Sequence, residues 1–128
     1  MSSSTAQRLD AYLDQLSRAN PDVNALLVID GSGLVHSNQA ASGELARVAV
    51  AMAMPLRELL ERTAAELGCG ELRTTLVEGE SASFALADVD GARSVVVIGA
   101  AGASPGALRA DSVWLADRIR SSEASSWT

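Results

Sequence analysis

Three short apolar runs in the C-terminal half constrain this chain most: LRTTLVE (72–78), SFALADV (83–89) and RSVVVIG (93–99). They are rich in the β-branched and aromatic residues that suit strands, and Gly79 and the pair Asp90-Gly91 break them apart. Asp-Gly between apolar runs is a strong hairpin signal, because the tight turns that join antiparallel strands need backbone angles that Gly and Asp tolerate. The three runs read as an antiparallel meander.

Upstream, ALLVID (25–30) and LVHSN (34–38) flank Gly31-Ser32-Gly33, which reads as another hairpin. Helical spacing governs the rest. Leu9, Tyr12, Leu13, Leu16 and Ala19 recur every three or four residues behind capping Ser and Thr, giving a helix over 5–19 that Asn20-Pro21 stops. Gln39 to Gly43 is a small-residue link. A long second helix runs from Glu44 to Leu67 and ends at Gly68-Cys69-Gly70. Ser104-Pro105 supplies a cap and a first-turn proline for a third helix carrying Leu108, Val113, Trp114, Leu115 and Ile119. The order is helix, strand, strand, helix, strand, strand, strand, helix. The 128 residues fit one domain over 1–120, with 121–128 as a flexible polar tail.

VVVIGAAGASPGALRAD (95–111) raises the question of a phosphate-binding loop, since Gly99, Gly102 and Gly106 follow a strand and precede a helix. A dinucleotide fingerprint needs a second parallel strand after that helix, and none follows. The sequence contains no lysine to reach a phosphate. The stretch is expected to be a tight crossover from strand to helix, with glycine supplying backbone freedom, and no nucleotide cofactor is expected there.

Other chemistry is equally thin. His36, Asp30, Ser32 and Ser37 crowd one hairpin without a nucleophile elbow. Cys69 and His36 are the lone residues of their types, too few for a zinc cage, and Glu78 and Glu80 bracket a turn as solvated charge. No catalytic residue, metal or cofactor is expected. A net charge of −6 without a basic stripe disfavours nucleic acid and anionic lipid. The longest apolar run, Val48 to Leu56, is too short to span a bilayer, and MSSSTAQRLD lacks the pattern of a signal peptide. A single cysteine suits a reducing cytoplasm.

The second helix is the most informative element. At 100° per residue, Leu45, Val48, Ala49, Met52, Leu56, Leu59, Leu60 and Leu67 make one stripe, expected to cover the sheet. The opposite side is expected to carry Arg47, Arg57, Glu58 and Glu61, but also Val50 and Met54, with Ala46 and Ala53 on the flank. Scattered exposed apolar residues are ordinary. An apolar outer face is otherwise a surface for a second copy or a partner. Pro55 removes one hydrogen bond inside the helix and is expected to kink it. The run 72–77 is a candidate edge strand, on which Arg73 and Thr75 are expected to share a face and whose unpaired backbone invites another strand.

The order of elements, the hairpin VIDGSGLVHSN, the long helix after it and the pair SFALADVDGARSVVVIG resemble the roadblock / dynein light chain family over residues 8–120. The resemblance implies an α/β/α sandwich on a five-stranded, mainly antiparallel sheet. It also implies a homodimer joined sheet edge to sheet edge, with the two central helices side by side. Bacterial members regulate small Ras-like GTPases without a cofactor. The resemblance therefore implies a non-catalytic platform for such a GTPase, with Arg47, Val50, Met54, Arg57, Glu58, Glu61, Arg73 and Thr75 as interface residues. An Arg57 finger reaching the nucleotide is one option within that reading. A dimeric scaffold in a larger complex, without effect on nucleotide turnover, is the alternative.

Overall fold

A computed structural model describes residues 3–38 and 43–125. Most of the small-residue link, 39–42, lies outside the described residues. The elements are α1 (Ser3–Ala19), β1 (Val23–Asp30), β2 (Gly33–Ser37), α2 (Gly43–Glu66), β3 (Thr74–Glu78), β4 (Ser83–Asp88), β5 (Arg93–Gly99) and α3 (Pro105–Ser125). The strands form one five-stranded sheet in the order β2-β1-β5-β4-β3, and every neighbouring pair is antiparallel.

Turn chemistry fixes the hairpins. Asp30 Oδ1 accepts hydrogen bonds from the Ser32 amide and hydroxyl at 2.9 and 2.8 Å. Those bonds, the hydroxyl's first, hold the Asp30 carboxyl below its ordinary pKa. Asp30 is thus a turn residue, and His36 lies apart from it, its Nε2 2.5 Å from Asp10 of α1. At the β4–β5 turn Asp90 Oδ1 accepts from the amides of Ala92 and Arg93, and Gly91 takes a left-handed φ of 87°.

The two central strands carry apolar side chains on both faces. Leu26, Val28, Val95 and Val97 meet Leu9, Leu13 and Leu16 of α1 and Leu108, Leu115 and Ile119 of α3. Ala25, Leu27, Ile29 and Val96 face α2 instead. The molecule is therefore a three-layer sandwich with two helices on one face and one on the other.

Two expectations change here. Gly99, Gly102 and Gly106 all lack a positive φ, so backbone freedom does not explain them. Space explains Gly99: a Cβ there would lie 2.7 Å from the Ala103 Cβ and 2.8 Å from Leu108. The missing side chain lets the turn and α3 settle onto the end of β5. Nor is 121–125 a loose tail, because α3 continues to Ser125. Glu123 holds Arg93 through two bonds of 2.6 and 2.5 Å, and Arg8 Nη1 donates to the Ser122 hydroxyl at 3.0 Å. Polar composition suggested fraying, but these side chains meet fixed charges on β5 and α1. Residues 126–128 lie outside the described residues.

Candidate functional site

Five strands spaced about 4.8 Å apart make a face about 20 Å across, whereas a helix with its side chains is about 10–12 Å wide. The pair α1 and α3 can cover such a face. On the opposite face α2 is the one helix among the described residues, and it sits towards β1 and β2. Beside it, over β4 and β5, lies an apolar groove of about 260 Å³. Val48, Met52 and Leu56 form its helical wall, and Phe84, Leu86 and Ile98 form its floor.

This groove exists because α2 is turned by one residue, about 100°, from the orientation its apolar spacing suggests. Ala46, Ala53 and Arg57 are its buried residues, with Ala49, Val50 and Met54 packed against the same core. Val50 and Met54 thus face the sheet, not outward. Val48, Met52 and Leu59, expected beneath the helix, are 50%, 65% and 57% exposed. Two physical terms select this rotation. Alanines at 46 and 53 let the helix approach closely, and Arg57 finds a polar seat on the sheet.

That seat is the main correction to the expected charged rim. Arg57 is 3% exposed. Its Nη1 donates to the buried Ser94 hydroxyl on β5 at 2.8 Å, its Nε to Glu61 at 2.7 Å, and its Nη2 to Asp88 on β4. Asp88 also accepts from the Gly91 amide at 2.9 Å. A guanidinium so tied is a positioning residue for α2 and is not free to act as a finger. Glu61 is exposed but turned to Arg57.

The outward ridge of α2 is left to Arg47, Ala51, Pro55, Glu58 and Arg62, all exposed. Arg47 pairs with Glu44. The helix runs unbroken through Pro55. The hydrogen bond Pro55 cannot donate is the one to the Ala51 carbonyl, on the solvent side, where water can replace it.

β3 is an edge strand. The Asp88 amide donates to the Arg73 carbonyl at 2.9 Å, and the Gly79 amide to Ala82 at 3.0 Å. With Thr75 opposite Leu86 and Val77 opposite Phe84, residues 73, 75, 77 and 79 turn their backbone groups inward to β4. Thr74, Leu76 and Glu78 therefore point theirs to the open edge. Arg73, Thr75 and Val77 share the α2 face of the strand, as alternation requires. Arg73 itself lies just before β3 and is exposed, while Thr75 is half-buried.

Comparison with known proteins agrees with this architecture. The family model for the Roadblock/LC7 domain matches residues 9–98. The chain is 31% identical over 112 residues to the uncharacterized protein MJ0310 of Methanocaldococcus jannaschii, covering 88% of this chain and 96% of that one. Among solved structures, the gliding protein MglB of Thermus thermophilus superposes with a TM-score of 0.81 at 15% identity, over 94% of this chain and 92% of that one. Myxococcus xanthus MglB gives 0.77 at 21% identity, over 92% and 96%.

Proposed function

The chain belongs to the Roadblock/LC7 domain family, and from that premise we propose that it acts as a homodimeric, non-catalytic regulatory platform for a small Ras-like GTPase. The observation that carries the reading is the half-covered sheet: an apolar groove beside α2, continuous with an open strand edge. A second copy offers what both lack, an apolar helix and an unpaired strand, in one symmetric operation. Joining β3 to β3 extends the sheet, and each α2 then lies beside its mate over the combined face.

In that dimer the outward ridges of the two helices form one shallow surface. Arg47, Glu58 and Arg62 give it orientation through charge, and Ala51 and Pro55 leave its centre flat and uncharged. Val50, Met54 and Arg57, which the sequence suggested for this role, support the platform from beneath.

The dimer has a backbone test. Leu76→Pro removes an amide that points to the open edge, so its expected effect is a monomer of unchanged fold, read by light scattering and circular dichroism. Thr75→Pro removes an amide that pairs with β4 and is expected to destabilise the fold itself. Equal effects of the two on folding would contradict the edge assignment.

The platform is tested by binding of a Ras-like GTPase from the same cell, loaded with GTP or GDP, to wild type and to a Glu58→Arg, Arg62→Glu variant. A preference for one nucleotide state is expected, because the switch segments move on hydrolysis. The variant is expected to stay dimeric and bind about tenfold more weakly, mainly through association rate. Equal binding by the variant places the partner elsewhere. Binding indifferent to nucleotide, with hydrolysis unchanged, favours a scaffold.

A further inference from the structure

We propose that Arg109 of each protomer forms an ion pair with the partner's Glu78, in a β3–β3 pairing centred on Leu76, so that two such pairs fix the register of the dimer. The inference rests on the dimer reading above and adds to it one register and one contact.

Symmetry and hydrogen bonding set the register. In an antiparallel pair, residues opposite each other lie on the same face. A two-fold axis through the joined sheet keeps each copy's faces aligned, so residue numbers facing each other must add to an even sum. Within β3, Thr74, Leu76 and Glu78 are the residues whose backbone groups point to the open edge. Centring on Leu76 uses all of them: Leu76 meets Leu76, and Thr74 meets the partner's Glu78 at both ends. Centring on Thr75 pairs Thr74 with Leu76 only, and it sets Glu78 against Leu72, which lies before the strand begins.

The side chains follow. Thr74, Leu76 and Glu78 lie on the face that α3 covers, as do Ala85 and Ala87 opposite Leu76 and Thr74. Thr74 and Arg109 of α3 line one groove of about 470 Å³ there. The partner's Glu78, set against Thr74, arrives at the mouth of this groove. Both Arg109 and Glu78 are exposed, and among the described residues neither has an ion-pair partner within its own chain. On the other face the same register sets Thr75 against the partner's Val77, beside the apolar groove.

The test is a charge swap in the full chain: Arg109→Glu, Glu78→Arg, and an equimolar mixture of the two, with self-association measured by analytical ultracentrifugation. Each variant alone places like charges together at both ends of the pairing, and its dissociation constant is expected to rise about tenfold or more. The mixture restores opposite charges at both ends, so a heterodimer of wild-type affinity is expected. Variants that associate like wild type, or a mixture no tighter than its components, overturn the ion pair while leaving the dimer standing. A wild type that is monomeric at micromolar concentration overturns the dimer and the ion pair with it. Should either reversal unfold the chain, Arg109→Gln and Glu78→Gln in a double-mutant cycle replace them, and a coupling near zero overturns the pair.

Discussion

Asp88→Ala is expected to lower the stability of the folded chain by about 3 kcal/mol, at the low end of the range for breaking a buried ion pair. Arg57 is the reason: its side chain is 4% exposed, so a guanidinium that loses this partner keeps its charge in a poorly solvated place. Ser94 and Glu61 still bind it, and Asp88 is itself 24% exposed, which holds the loss to that lower figure. For a domain of 128 residues the loss corresponds to a fall in melting temperature of about 12 °C. Arg57→Met in the same background is expected to recover most of it by removing the charge. Recovery is incomplete because the Ser94 hydroxyl, wholly buried, loses its bond. Urea denaturation at one protein concentration measures both, since dimerisation would otherwise enter the comparison. A loss below about 1 kcal/mol for Asp88→Ala would mean that α2 is seated by its apolar contacts alone.

Arg57 also marks where sequence reasoning stopped. The order of elements was legible because punctuation in this chain is strong: Asp90-Gly91, Gly31-Ser32-Gly33, Asn20-Pro21 and Ser104-Pro105 each have a turn or cap chemistry of their own. Strand β5 was legible to the residue, 93–99. The rotation of α2 was not. Its apolar residues occupy more than one face, and periodicity alone assigns the larger side chains to the core. The sheet accepts the smaller ones, Ala46 and Ala53, and leaves the larger row for another surface. The available signal was the charge pattern. Arg57 and Glu61 sit four apart on the helix, and Asp88 and Ser94 share the α2 face of β4 and β5, but only the strand register brings them together.

The same lesson applies to the candidate interface. Arg73 and Thr75 were legible as sharing one face of an edge strand, since alternation follows from the backbone. Which amides point outward was not, because that depends on the pairing of β3 with β4. The sequence carried no signal for Arg109, which is one of ten arginines and one of three on α3, with Arg118 and Arg120. The fold supplies one by placing Arg109 and Thr74 of the edge strand on the lining of a single groove.

Met52→Asp is expected to abolish dimerisation at micromolar concentration while leaving the protomer folded. Met52 is 65% exposed in the single chain and stands on the wall of the apolar groove, so a carboxylate there costs the monomer little. In the proposed dimer the same position would be covered by the partner's helix, and the two-fold axis would present it twice. Burial of a methionine side chain is worth about 1.5–3 kcal/mol. Losing it at two symmetric places costs about 3–6 kcal/mol, which raises the dissociation constant by about 10²–10⁴. Met54→Asp is the contrasting change: Met54 packs against its own sheet beside Val50, so aspartate there is expected to destabilise the fold and not to act on association selectively. The two methionines lie two positions apart and change helical hydrophobicity equally, so propensity and composition cancel between the variants. Sedimentation and thermal melting of both decide the matter. If Met52→Asp still dimerises as wild type while Met54→Asp is a stable monomer, α2 presents the other face to its mate and the groove is not the seat of the second helix.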